Sequence, residues 1–149
     1  MAKPSNQLSI DSQLCFSLYS TSLAMTQVYK PLLEPMGLTY PQYLVMLILW
    51  ENDGLGLKQV ADKLGQKPGA LTPVIKRMEA DGFLHRVRNK GDERSISITL
   101  TEHGRKLQKD AKRINQCIFE SCGLKLSELE ELREKLGGLR QKLRGQYEL

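Results

Sequence analysis

Apolar and aromatic residues between Ser9 and Leu33 fall at positions 14, 15, 18, 19, 25, 28, 29, 32 and 33, close to the period that lines one side of a helix. Pro31 is expected to distort the end of that helix, and Pro35 with Gly37 to stop it. From Pro41 to about Asn52 the run PQYLVMLILWEN is apolar on almost every face, which predicts a central core helix with Pro41 in the first-turn position that needs no N–H. Trp50, Met46 and the leucines of this run read as packing residues.

The stretch LKQVADKLGQKPGALTPVIKRMEADGFL predicts a short helix from about Lys58 to Leu64 that buries Val60, Ala61 and Leu64. Gly65 supplies a left-handed stop, and a second helix turns Leu71, Val74, Ile75 and Met78 inward before Gly82 ends it. Two helices about a tight turn are the helix-turn-helix rhythm. Pro73 lies in the early turns of the second helix, where few backbone bonds are lost although the ring can bend the axis. FLHRVRN and SISITL then read as two strands joined by KGDER, a glycine-containing hairpin. Thr101 suits the cap of a helix from Glu102 to near Cys122, terminated by Gly123. Ser127 suits the cap of a last helix with leucines at 129, 132, 136, 139 and 143.

These elements imply a mainly α chain with a small β-hairpin: a winged helix-turn-helix over about residues 55–100, plus a helical dimerisation layer from both chain ends, about 9–35 and 102–147. At 149 residues the chain is expected to be one folding unit. Packing of the last helix within its own chain is the alternative to a homodimer.

Charge sharpens the picture because it is uneven. Residues 58–94 carry nine Lys/Arg against five acids, whereas residues 1–57 carry two against four. A basic segment coinciding with a winged helix points to duplex DNA, with a solvated basic face as the bland alternative. The outward face of the second helix retains Gly69, Ala70, Thr72, Lys76 and Arg77, small residues that allow close approach to base edges, followed by cations for phosphates. Arg86, Arg88, Lys90 and Arg94 make the hairpin basic, and an arginine at its tip can enter a narrow minor groove. Asp92 stands two residues from Arg94 and either orients it or simply favours the turn. A two-fold dimer would present two such heads to an inverted repeat.

No leader-like segment and no apolar run of bilayer length is present, so a cytoplasmic protein without membrane attachment is expected. The cysteines at 15, 117 and 122 have no metal-ligand spacing; reduced thiols, no metal and no cofactor are expected. On its residue type alone Cys15 reads as a small buried hydrophobe.

QLCFSLYS, YKPLLEPMGLTYPQYLVMLILWE and ALTPVIKRMEADGFLHRVRNKGDERSISITLTEHG resemble the MarR family of transcriptional regulators, specifically its organic hydroperoxide resistance (OhrR-type) branch, from about Asp11 to Gly104. The resemblance implies that Cys15 is a peroxide-sensing thiol, held by tyrosines of the partner subunit at the positions of Tyr29 and Tyr40, with Tyr19 in the same pocket. Lys67-Pro68 departs from the branch, which usually has Asp-Ser there.

The helical ruler agrees with an arrangement across subunits. Fourteen residues at about 1.5 Å each separate Cys15 from Tyr29 by roughly 21 Å along one helix, so the two cannot touch within one subunit, whereas antiparallel pairing of two first helices across a two-fold axis could bring them together. Tyrosine hydroxyls donating to sulfur favour the thiolate, and Phe16, Leu14 and Leu18 could receive an organic tail. Some members of the branch resolve the oxidised sensor with a cysteine of the other subunit; Cys122, beside the flexible Gly123, and Cys117 are the candidates, and two inert thiols the alternative. They cannot bond each other, pointing about 140° apart on one helix.

The implied function is a repressor released from its operator when an organic hydroperoxide or other oxidant attacks Cys15. A regulator answering a non-covalent aromatic ligand or another reactive species is the nearer alternative. A thiol peroxidase is the more distant one, since neither His nor Arg lies close to Cys15 in sequence.

Overall fold

The structure is a computed structural model that describes residues 7–91 and 95–147. They fall into two compact units, one ending at Tyr40 and the other beginning at Pro41.

The first unit opens with a single 3-10 turn at Ile10–Ser12, closed by Ser12 Oγ donating to the Ser9 carbonyl at 2.8 Å. Helix α1 (Leu14–Leu33) follows, starting later than the apolar pattern suggested. Pro31 does not end it: placed in the last turn, it removes one N–H, and the helix runs on for two residues. A second 3-10 turn, Glu34–Met36, ends at Gly37, whose φ of 73° reverses the chain. Leu33, Met36 and Leu38 are buried, but most of α1 is not. Leu14, Leu18, Met25 and Val28 are all exposed, and their spacing keeps them within an arc of about 80° on one face.

In the second unit, α2 (Tyr40–Glu51, its first residue closing the first unit) buries Tyr43, Val45, Met46 and Leu49, as its continuous apolar run implies. Leu47 remains exposed and Trp50 is half-buried, its Nε1 donating to the Gly104 carbonyl at 2.9 Å. A short strand β1 (Leu55–Gly56) precedes α3 (Leu57–Leu64), where Gln59 Oε1 accepts the Gly56 N–H at 2.8 Å. Gly65 ends α3 at φ 69°, and α4 (Pro68–Ala80) begins on a proline whose missing N–H costs nothing there. Val60, Leu71, Ile75, Met78, Leu84 and Ile98 are each at most 1% exposed and form the core that holds α3, α4 and the hairpin together, at about 1.5–3 kcal/mol per large apolar side chain.

Strands β2 (Leu84–Arg88) and β3 (Ile96–Leu100) form the expected hairpin, in register from Leu84 opposite Leu100 to Arg88 opposite Ile96. The sequence reading missed β1, which joins the other side of β3 with Leu55 opposite Ile98; the sheet is three-stranded, in the order β1-β3-β2. At two residues, β1 is too short to carry an alternation signal.

The predicted single helix from Glu102 to Cys122 is two, α5 (Glu102–Lys106) and α6 (Gln108–Cys122), with Leu107 buried at the break. Thr101 caps α5 as expected, Oγ1 accepting the Gly104 N–H at 3.0 Å. Ser127 caps nothing: α7 (Leu126–Tyr147) already includes it, and the Lys125 carbonyl accepts the Leu129 N–H at 3.1 Å. Among the described residues no helix is long and apolar enough to cross a membrane.

Candidate functional site

The outward face of α4 carries the residues expected there. Gly69, Ala70, Lys76 and Arg77 are exposed, and Thr72 is half-buried with its Oγ1 donating to the Pro68 carbonyl at 2.9 Å. That bond fixes the hydroxyl in the first turn. A side chain at Gly69 would meet open space, so the absence of one leaves room for another molecule. Arg77 is exposed and ion-paired to Asp81 at 3.2 Å, a surface pair worth a few tenths of a kcal/mol that a phosphate could displace.

Arg86, one of the cations that make the hairpin basic, is paired to Glu79. Its backbone N–H donates to Glu79 Oε2 at 2.7 Å, Nε donates to Oε1 at 3.1 Å, and Nη2 lies 3.0 Å from Oε1. The backbone N–H first, then the guanidinium, hold the Glu79 carboxyl below its ordinary value. Sequence reasoning missed Glu79, although its place one turn before the β2 hairpin was a usable signal.

The wing base has its own fastening, also missed. Asn89 donates through Nδ2 to Ser95 Oγ at 2.6 Å and accepts from Ser97 Oγ at 2.8 Å, while its N–H reaches the Ser95 carbonyl at 3.0 Å. Arg88 and Lys90 are exposed on either side of Asn89, and Gly91 adopts φ 95° in the turn. Asp92 and Arg94 lie outside the described residues.

The head is tied to what precedes and follows it by Asp53 and Thr101. Asp53 Oδ1 accepts the Leu100 N–H at 2.9 Å and its carboxylate faces Arg105 Nη2 at 3.5 Å. Thr101 Oγ1 donates to the Gly82 carbonyl at 2.7 Å, which holds the end of β3 against the start of β2.

A second candidate site lies in the first unit. Cys15 is a free, exposed thiol in the first turn of α1, with Tyr19 exposed one turn on and Phe16 half-buried. In the single chain it is exposed, not buried as residue type alone would have it. At the far end of α1, the rings of Tyr29 and Tyr40 meet with centroids 4.9 Å apart, and burial raises the Tyr40 hydroxyl above its ordinary value. A cavity of about 440 Å³ opens beside them, lined among others by Thr26, Lys30, Leu38 and Tyr40. Cys117 and Cys122 are free and half-buried on α6. Among the described residues no cluster of His, Cys, Asp and Glu could hold a metal ion.

A small-residue, then cationic, helix face beside a fastened basic hairpin defines a winged-helix DNA-binding protein. The sequence model of the family described as "Transcriptional regulator SarA/Rot" matches residues 27–111. The chain is 42% identical to the HTH-type transcriptional regulator TtmR of Methylorubrum extorquens, over 91% of this chain and 69% of that one. It is 41% identical to the organic hydroperoxide resistance transcriptional regulator of Bacillus subtilis, over 88% of this chain and 89% of that one. Reduced AbfR bound to DNA superposes with a TM-score of 0.78 at 34% identity, covering 96% of this chain and 98% of that one. AbfR, a protein of Staphylococcus epidermidis, is also known overoxidised on DNA and in a disulfide form. The chain belongs to the MarR family of DNA-binding transcriptional regulators, in its organic hydroperoxide resistance branch, and is not an enzyme.

Proposed function

We propose that this protein is a homodimeric, cytoplasmic repressor that occupies an inverted-repeat operator while Cys15 is reduced and leaves it when an organic hydroperoxide oxidises that thiol. The observation that carries the reading is the exposure of Cys15 beside the uncovered apolar face of α1, with the Tyr29–Tyr40 pair near the other end of that helix. A second copy running antiparallel would bring the pair to the thiol and bury the stripe Leu14, Leu18, Met25 and Val28. Hydroxyl donors beside the sulfur favour the thiolate, the form that attacks a peroxide.

The chemistry balances in two steps. The thiolate attacks the O–O bond and, with one proton taken up, gives a sulfenic acid and an alcohol; the sulfenic acid then condenses with a thiol, releasing water. Cys122 of the other subunit, next to Gly123 at the end of α6, is the first candidate for that thiol, and Cys117 the second. Bringing Cα atoms within about 7 Å requires the helices of the dimer layer to move, and with them the two reading heads. On the DNA side, Thr72, Lys76 and Arg77 engage the major groove and its phosphates across the gap left by Gly69 and Ala70. Arg88 and Lys90 reach the backbone, and Arg94 enters the minor groove.

Fluorescence anisotropy on duplex DNA with and without cumene hydroperoxide tests this. Cys15→Ser should bind as tightly as the native chain and stay bound in peroxide. Release of the serine variant by peroxide would move the sensor elsewhere. The cavity beside Tyr40 favours one second reading, a non-covalent aromatic ligand, because its volume is of ligand size. Release of Cys15→Ser by such a compound would select it.

A further inference from the structure

We infer that Glu79 is a specificity-determining residue: it keeps Arg86 out of the sum of phosphate-neutralising cations and fixes the wing against the recognition helix, so that affinity depends on groove fit more than on charge. This rests on the reading of α4 and the hairpin as the DNA-contacting surface.

The geometry is that of a clamp with three contacts. Strand β2 is an edge strand, and the Arg86 N–H would point away from the sheet without a ladder partner. Glu79, in the last turn of α4, supplies the acceptor at 2.7 Å and turns its other oxygen to Nε and Nη2 at 3.1 and 3.0 Å. One side chain thus joins recognition helix to wing by both backbone and charge. Both side chains are 32% exposed, so the pair lies at the surface where a phosphate could otherwise reach the guanidinium.

Electrostatics decides what the pair does there. A free arginine on a DNA-facing surface releases about 0.9 counterion when it neutralises a phosphate. With a carboxylate about 3 Å away, the pair carries no net charge, and an approaching phosphate meets the anion as well as the cation. A free Arg86 would strengthen binding to any duplex alike. Its neutralisation leaves discrimination to residues that read shape and base edges.

The experiment uses full-length reduced protein, an inverted-repeat duplex that it selects from a random pool, and a scrambled duplex of equal length. Glu79→Gln should steepen the salt dependence by about 0.9 unit on both duplexes, which corresponds to about eightfold tighter binding to the scrambled one at 0.1 M salt. The ratio of selected to scrambled affinity should fall, because the wing loses its fixed angle. Glu79→Ala should act in the same direction, and Glu79→Gln/Arg86→Gln should return the slope to the native value. A purely structural pair would instead weaken both complexes with no change of slope, and that result overturns the inference. So does a double variant that keeps the steeper slope, since the added cation would then not be Arg86. If the native protein selects no duplex at all, the DNA-reading assignment of this surface fails with it.

Discussion

Gly104 is the position where the smallest substitution should do the most damage. It lies in α5, three residues after the cap Thr101, and a Cβ there would run into the backbone carbonyl of Phe83. That carbonyl cannot yield by a rotamer change; it accepts the Thr101 N–H at 3.1 Å and belongs to the start of the hairpin. Gly104 also serves on both sides, its N–H donating to Thr101 Oγ1 at 3.0 Å and its carbonyl accepting Trp50 Nε1 at 2.9 Å. Gly104→Ala therefore overpacks by about 1–3 kcal/mol, at the upper end because backbone must move, and strains two hydrogen bonds worth about 1 kcal/mol each. The expected loss is about 3–5 kcal/mol, a large part of the ~5–15 kcal/mol that holds a domain together.

Urea unfolding at fixed protomer concentration, followed by circular dichroism and by emission of the chain's one tryptophan, measures it. Gly69→Ala is the matched control: a Cβ there meets nothing within 4 Å, and removing a helical glycine should stabilise by about 0.5–1 kcal/mol. Opposite signs are expected for one chemical change. A loss below about 1 kcal/mol at Gly104 with native Trp50 emission would refute the close approach to Phe83.

Two further outcomes can be stated from the same structure. The Glu79 carboxyl is held below its ordinary value by the Arg86 N–H and guanidinium, so its stabilising contribution is complete above the unfolded range near pH ~4.3 and lost as pH falls through the lower folded value. The stability gap between native chain and Glu79→Gln, about 1 kcal/mol or less for a half-exposed pair, should be flat from pH 8 to 5 and close in acid; a gap that widens in acid reverses the assignment. Met25→Glu, ten residues from Cys15 on the exposed stripe of α1, should raise the dimer dissociation constant more than about a hundredfold, because an unpaired buried charge costs about 3 kcal/mol or more. Sedimentation velocity across a dilution series reads this, and an unchanged constant would place the interface elsewhere.

Much of the fold was legible because its signals are local. The inward set Leu71, Ile75 and Met78 repeats at helical spacing, Gly65 sits where the chain needs a positive φ, and Thr101 stands where α5 needs an acceptor. What failed was set by contacts distant in sequence. The break at Leu107 is not marked by a glycine or proline at that position; it follows from α5 being held by Thr101, Trp50 and the Phe83 carbonyl, which a periodicity count does not contain. The pairing of Arg86 was hidden for the same reason. A basic residue in a basic hairpin reads as a free cation until Glu79, seven residues earlier, is seen reaching it across the edge of the sheet.

For Cys15, residue type alone and the family resemblance point different ways, the first to packing and the second to a sensing thiol. Residue type alone made it a core hydrophobe, yet the folded chain leaves it exposed beside Leu14 and Tyr19, which are 59% and 65% exposed. An exposed thiol beside the exposed side chains of Leu14, Leu18 and Tyr19 is poorly explained as packing, and poorly explained as a solvated surface. Tyr29, whose ring meets that of Tyr40, sits about 21 Å from Cys15 along α1, beyond any rotamer's reach. In the proposed homodimer, antiparallel pairing of two α1 helices would bury the stripe and bring tyrosine hydroxyls to the sulfur. Under that arrangement the surface that makes the dimer is the surface that senses the oxidant. A covalent change at Cys15 then acts on the contact that sets the spacing of the two reading heads, and no separate relay from sensor to DNA is needed.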